Sequence, residues 1–162
     1  MESLKESIAE YRKQMKKGII QKAYREIMNY VMGLRAYLQN KYPEYTVGNI
    51  YYGYMDMTYF PLFTKDLKDR KLKIAIVFLH DTCRFEVWLS GNNRQIQKKY
   101  HELISGNKWN KYRMDPENPD SIIEYTLDSN PDFCDTDALT NKIEVSTLSF
   151  LSDIEAFLSK QL

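Results

Sequence analysis

The chain has 162 residues, 43% of them hydrophobic and 28% charged, with a net charge of +1. These values fit one ordinary globular domain, and no run approaches the roughly 20 consecutive apolar residues of a membrane span. The charge is uneven: residues 1–41 and 42–114 each carry +5, whereas residues 115–162 carry −9. Near-neutrality overall gives no long-range pull on a polyanion, so nucleic acid is not an expected partner. The acidic C-terminal segment is expected to lie against the basic part of its own fold.

Ser3-Leu4-Lys5-Glu6 fits a capping box, in which the Ser3 hydroxyl takes the Glu6 amide and the Glu6 carboxylate reaches back. Leu4, Ile8, Tyr11 and Met15 then recur at helical spacing, Lys16 and Lys17 suit a helix C-terminus, and Gly18 can close it. A second helix is predicted over about residues 20–40. Its stripe is Ile20, Ala23, Ile27, Val31, Leu34 and Leu38, and Tyr24, Met28 and Met32 widen it enough to predict burial on more than one side. The pair reads as a helical hairpin, with Pro43 at its exit. The first eight residues have no apolar signal core, so the chain is expected to stay in the cytoplasm. Cys83 and Cys134 lack metal-ligand spacing and read as two free thiols in a reducing compartment.

Residues 47–60 turn to strand composition, rich in Tyr and Met. Strict alternation would put Tyr52, Tyr54, Asp56 and Thr58 on one face and Tyr51, Met55, Met57 and Tyr59 on the other. Gly53 suggests a bulge or a close backbone approach. Residues 61–72 read as a charged connection with room for one helical turn.

The best-defined segment is a hairpin. Residues 73–79 and 84–91 are strand-like and flank the turn His80-Asp81-Thr82-Cys83. A four-residue turn pairs Leu79 with Arg84, Val77 with Glu86 and Ala75 with Trp88. Phe78, Ile76 and Ile74 then pair with Phe85, Val87 and Leu89 on a wholly apolar face that must be core. A one-residue slip would invert every assignment. Ser90-Gly91-Asn92-Asn93 reads as the turn into a helix with one of the two Asn as N-cap, buried through Ile96, Tyr100, Leu103 and Ile104 and ended by Gly106. Residues 109–114 suggest a short strand. Residues 121–127 alternate as another, with Ile123, Tyr125 and Leu127 together. A long last helix is capped near Asp135 or Thr136, with its apolar face from Leu139 to Leu158. The expected fold is α+β: an N-terminal helical hairpin, a mostly antiparallel sheet of four or five strands, a helix after the central hairpin and a long C-terminal helix.

Two chemistries compete on the sheet. In the first, Tyr52, Tyr54, Asp56, Arg84, Glu86 and Trp88 form a binding face. Arg offers a planar fork, Trp a flat surface, and Tyr rigid amphipathic contact area for a small molecule or a protein. The bland counterpart is an Arg84–Glu86 ion pair beside a core Trp88. In the second, Asp56 and Glu86 act as hydrolytic acid/base or metal-binding carboxylates. A nuclease site of that type wants a Lys two residues after the second acid, and Trp88 stands there. No phosphate-binding or dinucleotide motif is present, and no cofactor is expected. The turn residues His80, Asp81 and Cys83 cannot wrap a metal unaided. The Tyr-rich segment and the opposite charges of the two ends also leave a homo-oligomer open.

The blocks Glu10-Tyr-Arg, Gln21-Lys-Ala-Tyr-Arg, Gly53-Tyr-Met-Asp-Met-Thr-Tyr-Phe and Arg84-Phe-Glu-Val-Trp-Leu-Ser-Gly resemble those of a small family of uncharacterised bacterial proteins of about this length. The resemblance runs over nearly the whole chain. It implies a bacterial, cytoplasmic, single-domain protein and no mechanism.

Overall fold

The computed structural model describes residues 3–161; Met1 and Glu2, part of the N-terminal reading above, and Leu162 lie outside them. The order is α1 (Leu4–Lys17), α2 (Ile19–Lys41), β1 (Thr46–Val47), β2 (Met57–Phe63), α3 (Lys65–Asp69), β3 (Leu72–Leu79), β4 (Arg84–Gly91), α4 (Arg94–Gly106), β5 (Ile123–Asp128) and α5 (Thr136–Ser159). The strands form one antiparallel meander in chain order. The fold is α+β, as the alternation of periods implied. No helix among the described residues is long and apolar enough to cross a membrane.

Local signals set the element ends. The Ser3–Glu6 capping box forms in both directions, and Gly18 takes φ 73° to end α1. Asn93 caps α4 through the Ile96 amide, and Asp135 caps α5 through that of Ala138. The β3–β4 register is the one derived from a four-residue turn: Leu79 opposite Arg84, Val77 opposite Glu86, Ala75 opposite Trp88. Cys83 closes that turn at φ 51°, which the short connection requires.

Packing splits the sheet into two unlike faces. Phe60, Leu62, Ile74, Ile76, Phe78, Phe85, Val87 and Leu89 face the helices and merge with Val31, Leu34, Leu38, Ile104, Phe150 and Ile154 into the main core. The second face carries a separate cluster of Ala75, Val77 and Trp88, edged by Met57, Tyr59 and Leu79, and no described helix contributes to it. The first turn of α4, at Arg94 and Gln97, and the loop carrying Pro119 and Asp120 border this face.

Four expectations change. The strand of residues 47–60 is displaced: β2 begins at Met57 and runs through Pro61 to Phe63. Gly53 at φ 77° and Met55 at φ 64° turn the chain away from the pleat, and the Asp56 carboxylate takes the Tyr54 amide, competing with a ladder. Thr58 therefore faces the core, and Tyr52 and Tyr54 belong to no strand. Residues 109–114 contribute a single bridge, Arg113 to Glu124, rather than a strand. Burial of α2 is limited to Met28, Val31, Leu34 and Leu38 along one side, and Met32 is exposed. Finally, α1 buries no residue: Leu4, Ile8 and Tyr11 are all exposed.

Candidate functional site

On the helix-free face, the period of two in β4 lines up Arg84, Glu86 and Trp88. Glu86 is 1% exposed at the centre of the sheet. Its Oε1 accepts the Trp88 indole N–H at 2.9 Å and the Arg113 guanidinium at 3.3 Å. Its Oε2 lies 2.7 Å from Arg84 Nε, but the N–H is misaligned and neither atom makes a hydrogen bond. Two guanidiniums thus bracket one buried carboxylate. A second carboxylate completes the cluster: Glu124 takes Arg113 at 2.7 Å, Asn118 at 3.0 Å and Ser121 at 2.8 Å. Burial pushes the Glu124 carboxyl up, but those donors outweigh it and hold it below the ordinary range.

Trp88 is only 6% exposed. Small Ala75 opposite lets the indole lie across the sheet, so the ring is the floor of the face rather than a free stacking platform. Its N–H is already used by Glu86.

The remaining sequence candidates divide. Tyr52 and Tyr54 are exposed in the connecting loop, Tyr54 at 88%. The Tyr52 carbonyl accepts the Thr58 hydroxyl at 2.7 Å, and Thr58 in turn accepts from His80 Nε2 at 2.9 Å. His80 is the clamp between this loop and the hairpin: its amide also donates to the Asp56 carbonyl, and its ring stacks on Tyr24. Burial pushes the His80 imidazole below its ordinary value. Asp56 is exposed, with its carboxyl lowered first by the Tyr54 amide, and it reaches the rim of the face from the turn. The tyrosines that share the face are Tyr51 and Tyr59, paired backbone to backbone with ring centroids 5.2 Å apart. Arg113 and Glu124 escaped sequence reasoning. Glu124 was legible as the polar side of an alternating strand, but nothing local marks Arg113 as its partner.

The face is a concavity of two lobes. One, of about 410 Å³, lies over Tyr51, Tyr59, Lys73, Ala75 and the start of α4 at Asn93 and Arg94. The other, of about 640 Å³, lies over Asp56, Arg84, Glu86, Arg113 and Glu124. Both are lined by Met57, Trp88, Pro119 and Asp120, so they meet over the indole. Elsewhere a groove of about 630 Å³ separates α2 from α5 near Tyr30 and Phe133. Both cysteines are exposed and free.

Neither the curated proteins nor the solved structures provide a match to this chain. Residues 4–158 match a family described as Domain of unknown function (DUF7000). The chain accordingly belongs to the DUF7000 family.

Proposed function

We propose that this protein is a binding module whose ligand occupies the helix-free face of the sheet, with Trp88, Tyr59 and Met57 as floor and Arg84, Glu86, Arg113 and Asp56 as polar surround. The observation that carries this reading is the two-lobed concavity, which falls within the usual size of small-ligand sites and meets over a rigid indole. Fold order supports it: the helices bury their apolar sides on the opposite face, leaving this one to side chains, loops and the first turn of α4. We read the protein further as a single cytoplasmic domain of bacterial type, a view its two exposed thiols and the family resemblance support.

The hydrolytic alternative asks Glu86 to trade a proton or hold a metal. A 1%-exposed carboxylate bracketed by Arg84 and Arg113 and accepting an indole N–H is already engaged by its own neighbours, which favours binding over catalysis. A fragment screen read by amide and indole NMR tests the proposal. Hits should shift Trp88, Tyr59 and Arg113 together. Hits gathering instead between α2 and α5, near Tyr30 and Phe133, would refute it.

A further inference from the structure

We infer that α1 is an interfacial helix that lays its exposed apolar stripe on an anionic lipid surface, holding the domain against a membrane without spanning it. This goes beyond the binding face and does not depend on it. Local signals build α1 firmly, with a capping box at Ser3–Glu6 and a glycine stop at Gly18. A helix of 14 residues is nevertheless marginal in water, and burial of an apolar face normally supplies the rest of its stability. Yet α1 buries none of its residues. At about 100° per residue, Leu4, Ile8, Tyr11 and Met15 fall within an arc of about 60°, and the first three are 50–78% exposed. Ile19, just past the Gly18 stop, is 68% exposed. The apolar surface continues into a groove of about 450 Å³ between α1 and α2, where Tyr11 and Met15 meet Tyr24, Met28 and Met55. Tyr54, beside Met55 in the chain, is exposed as well.

Charge decides what covers this surface. α1 carries Lys5, Arg12, Lys13, Lys16 and Lys17 against Glu6 and Glu10, and Lys22 and Arg25 follow at the start of α2. All seven cations are exposed, and none has an ion-pair partner among the described residues. Lys5, Arg12 and Lys16 follow one edge of the stripe, where their stems can lie along apolar surface while the charged heads reach outward. A second copy would bring the same cations to the same edge and be repelled, so the complement is an anionic surface. An apolar stripe beside a Lys/Arg-rich polar side is the pattern of interfacial helices, and exposed tyrosines suit the headgroup level. The chain as a whole is close to neutral, but within a Debye length of ~10 Å the charge of the contacting face prevails. The cytoplasmic leaflet of a membrane, with its anionic lipids, presents such a surface to a cytoplasmic chain.

The test is flotation of the full chain with phosphatidylcholine vesicles containing about 30% phosphatidylserine, and with vesicles of phosphatidylcholine alone. The protein should float with the mixed vesicles and stay behind with the neutral ones. Ile8→Asp with Tyr11→Ser should abolish flotation. Lys5→Gln, Arg12→Gln and Lys16→Gln together should weaken it by about tenfold, and added salt should do the same. Because α1 buries nothing, both variants should keep the fold, as an amide spectrum unchanged outside α1 would show. Failure to float with the mixed vesicles would overturn the inference, as would equal flotation with phosphatidylcholine alone or flotation that survives either variant. Vesicles left unbound, beside a dimer in light scattering that Ile8→Asp with Tyr11→Ser dissociates, would overturn it in favour of a second copy.

Discussion

Glu144 offers the sharpest test of how this fold is held. It lies mid-way along α5, 5% exposed, and collects three donors from the end of α2. The Tyr37 hydroxyl donates at 2.6 Å, Lys41 Nζ pairs at 2.6 Å, and the Tyr42 hydroxyl donates as well. Burial pushes the Glu144 carboxyl up, but Lys41 and the two tyrosines outweigh it and hold it below its ordinary 4.5. Hydrogen bonds to a charged acceptor contribute about 1.5–3 kcal/mol each, an exposed lysine adds little, and a half-exposed tyrosine can turn to water. Glu144→Gln, which keeps an acceptor but removes the charge, should therefore cost about 1–2 kcal/mol, and Glu144→Ala about 2–3 kcal/mol. At this size that lowers Tm by roughly 2–8 °C and 4–12 °C respectively. The pH dependence has a fixed sign. A carboxyl lowered on folding stabilises in full above its unfolded value and loses that contribution as pH falls through its folded value. The gap between wild type and Glu144→Gln should be constant near neutrality and close below about pH 4.5. At the alkaline end Tyr42, pushed up to about 12 chiefly by its bond to Glu144, contributes stability that is lost above its ordinary value of 10.0. Urea melts from pH 3 to 11 would check this. A Glu144→Gln protein as stable as wild type at pH 7, or a gap unchanged at pH 3, would refute the reasoning.

Gly53 sits at φ 77°, and a Cβ there would collide with the Met57 carbonyl oxygen. Gly53→Ala should cost about 1–3 kcal/mol in denaturant melts and loosen the Tyr51–Tyr59 bridge, visible as faster amide exchange at Tyr59. Cys83 holds φ 51° with only a weak Sγ contact to the His80 carbonyl. Cys83→Gly should leave stability unchanged or raise it by up to about 1 kcal/mol; a clear loss would show that the thiol matters. Because α1 buries no residue, removal of residues 1–17 should change unfolding free energy by less than about 1 kcal/mol. A collapse in Tm on that truncation would mean α1 is integral to the core.

Sequence alone determined whatever depends on neighbours along the chain. The cap at Ser3 and the stop at Gly18 were legible residue by residue, and the caps of α4 and α5 to within one residue, because each side chain satisfies backbone within about three residues of itself. The β3–β4 register followed from one turn length, because a period of two carries the pairing from Leu79–Arg84 to Ala75–Trp88 without further information. Tertiary structure decided the parity of β2. Strand composition began near residue 47, but the left-handed backbone at Gly53 and Met55 delayed the pleat to Met57. That exchanged Tyr52 and Tyr54 for Tyr51 and Tyr59 on the candidate face. It also decided the charge of the site. Arg84 and Glu86 were legible as a pair on one strand, whereas Arg113, 27 residues from Glu86, reaches the face only because its backbone bridges the edge of β5. An ion cluster assembled from separate strands has no sequence period to announce it.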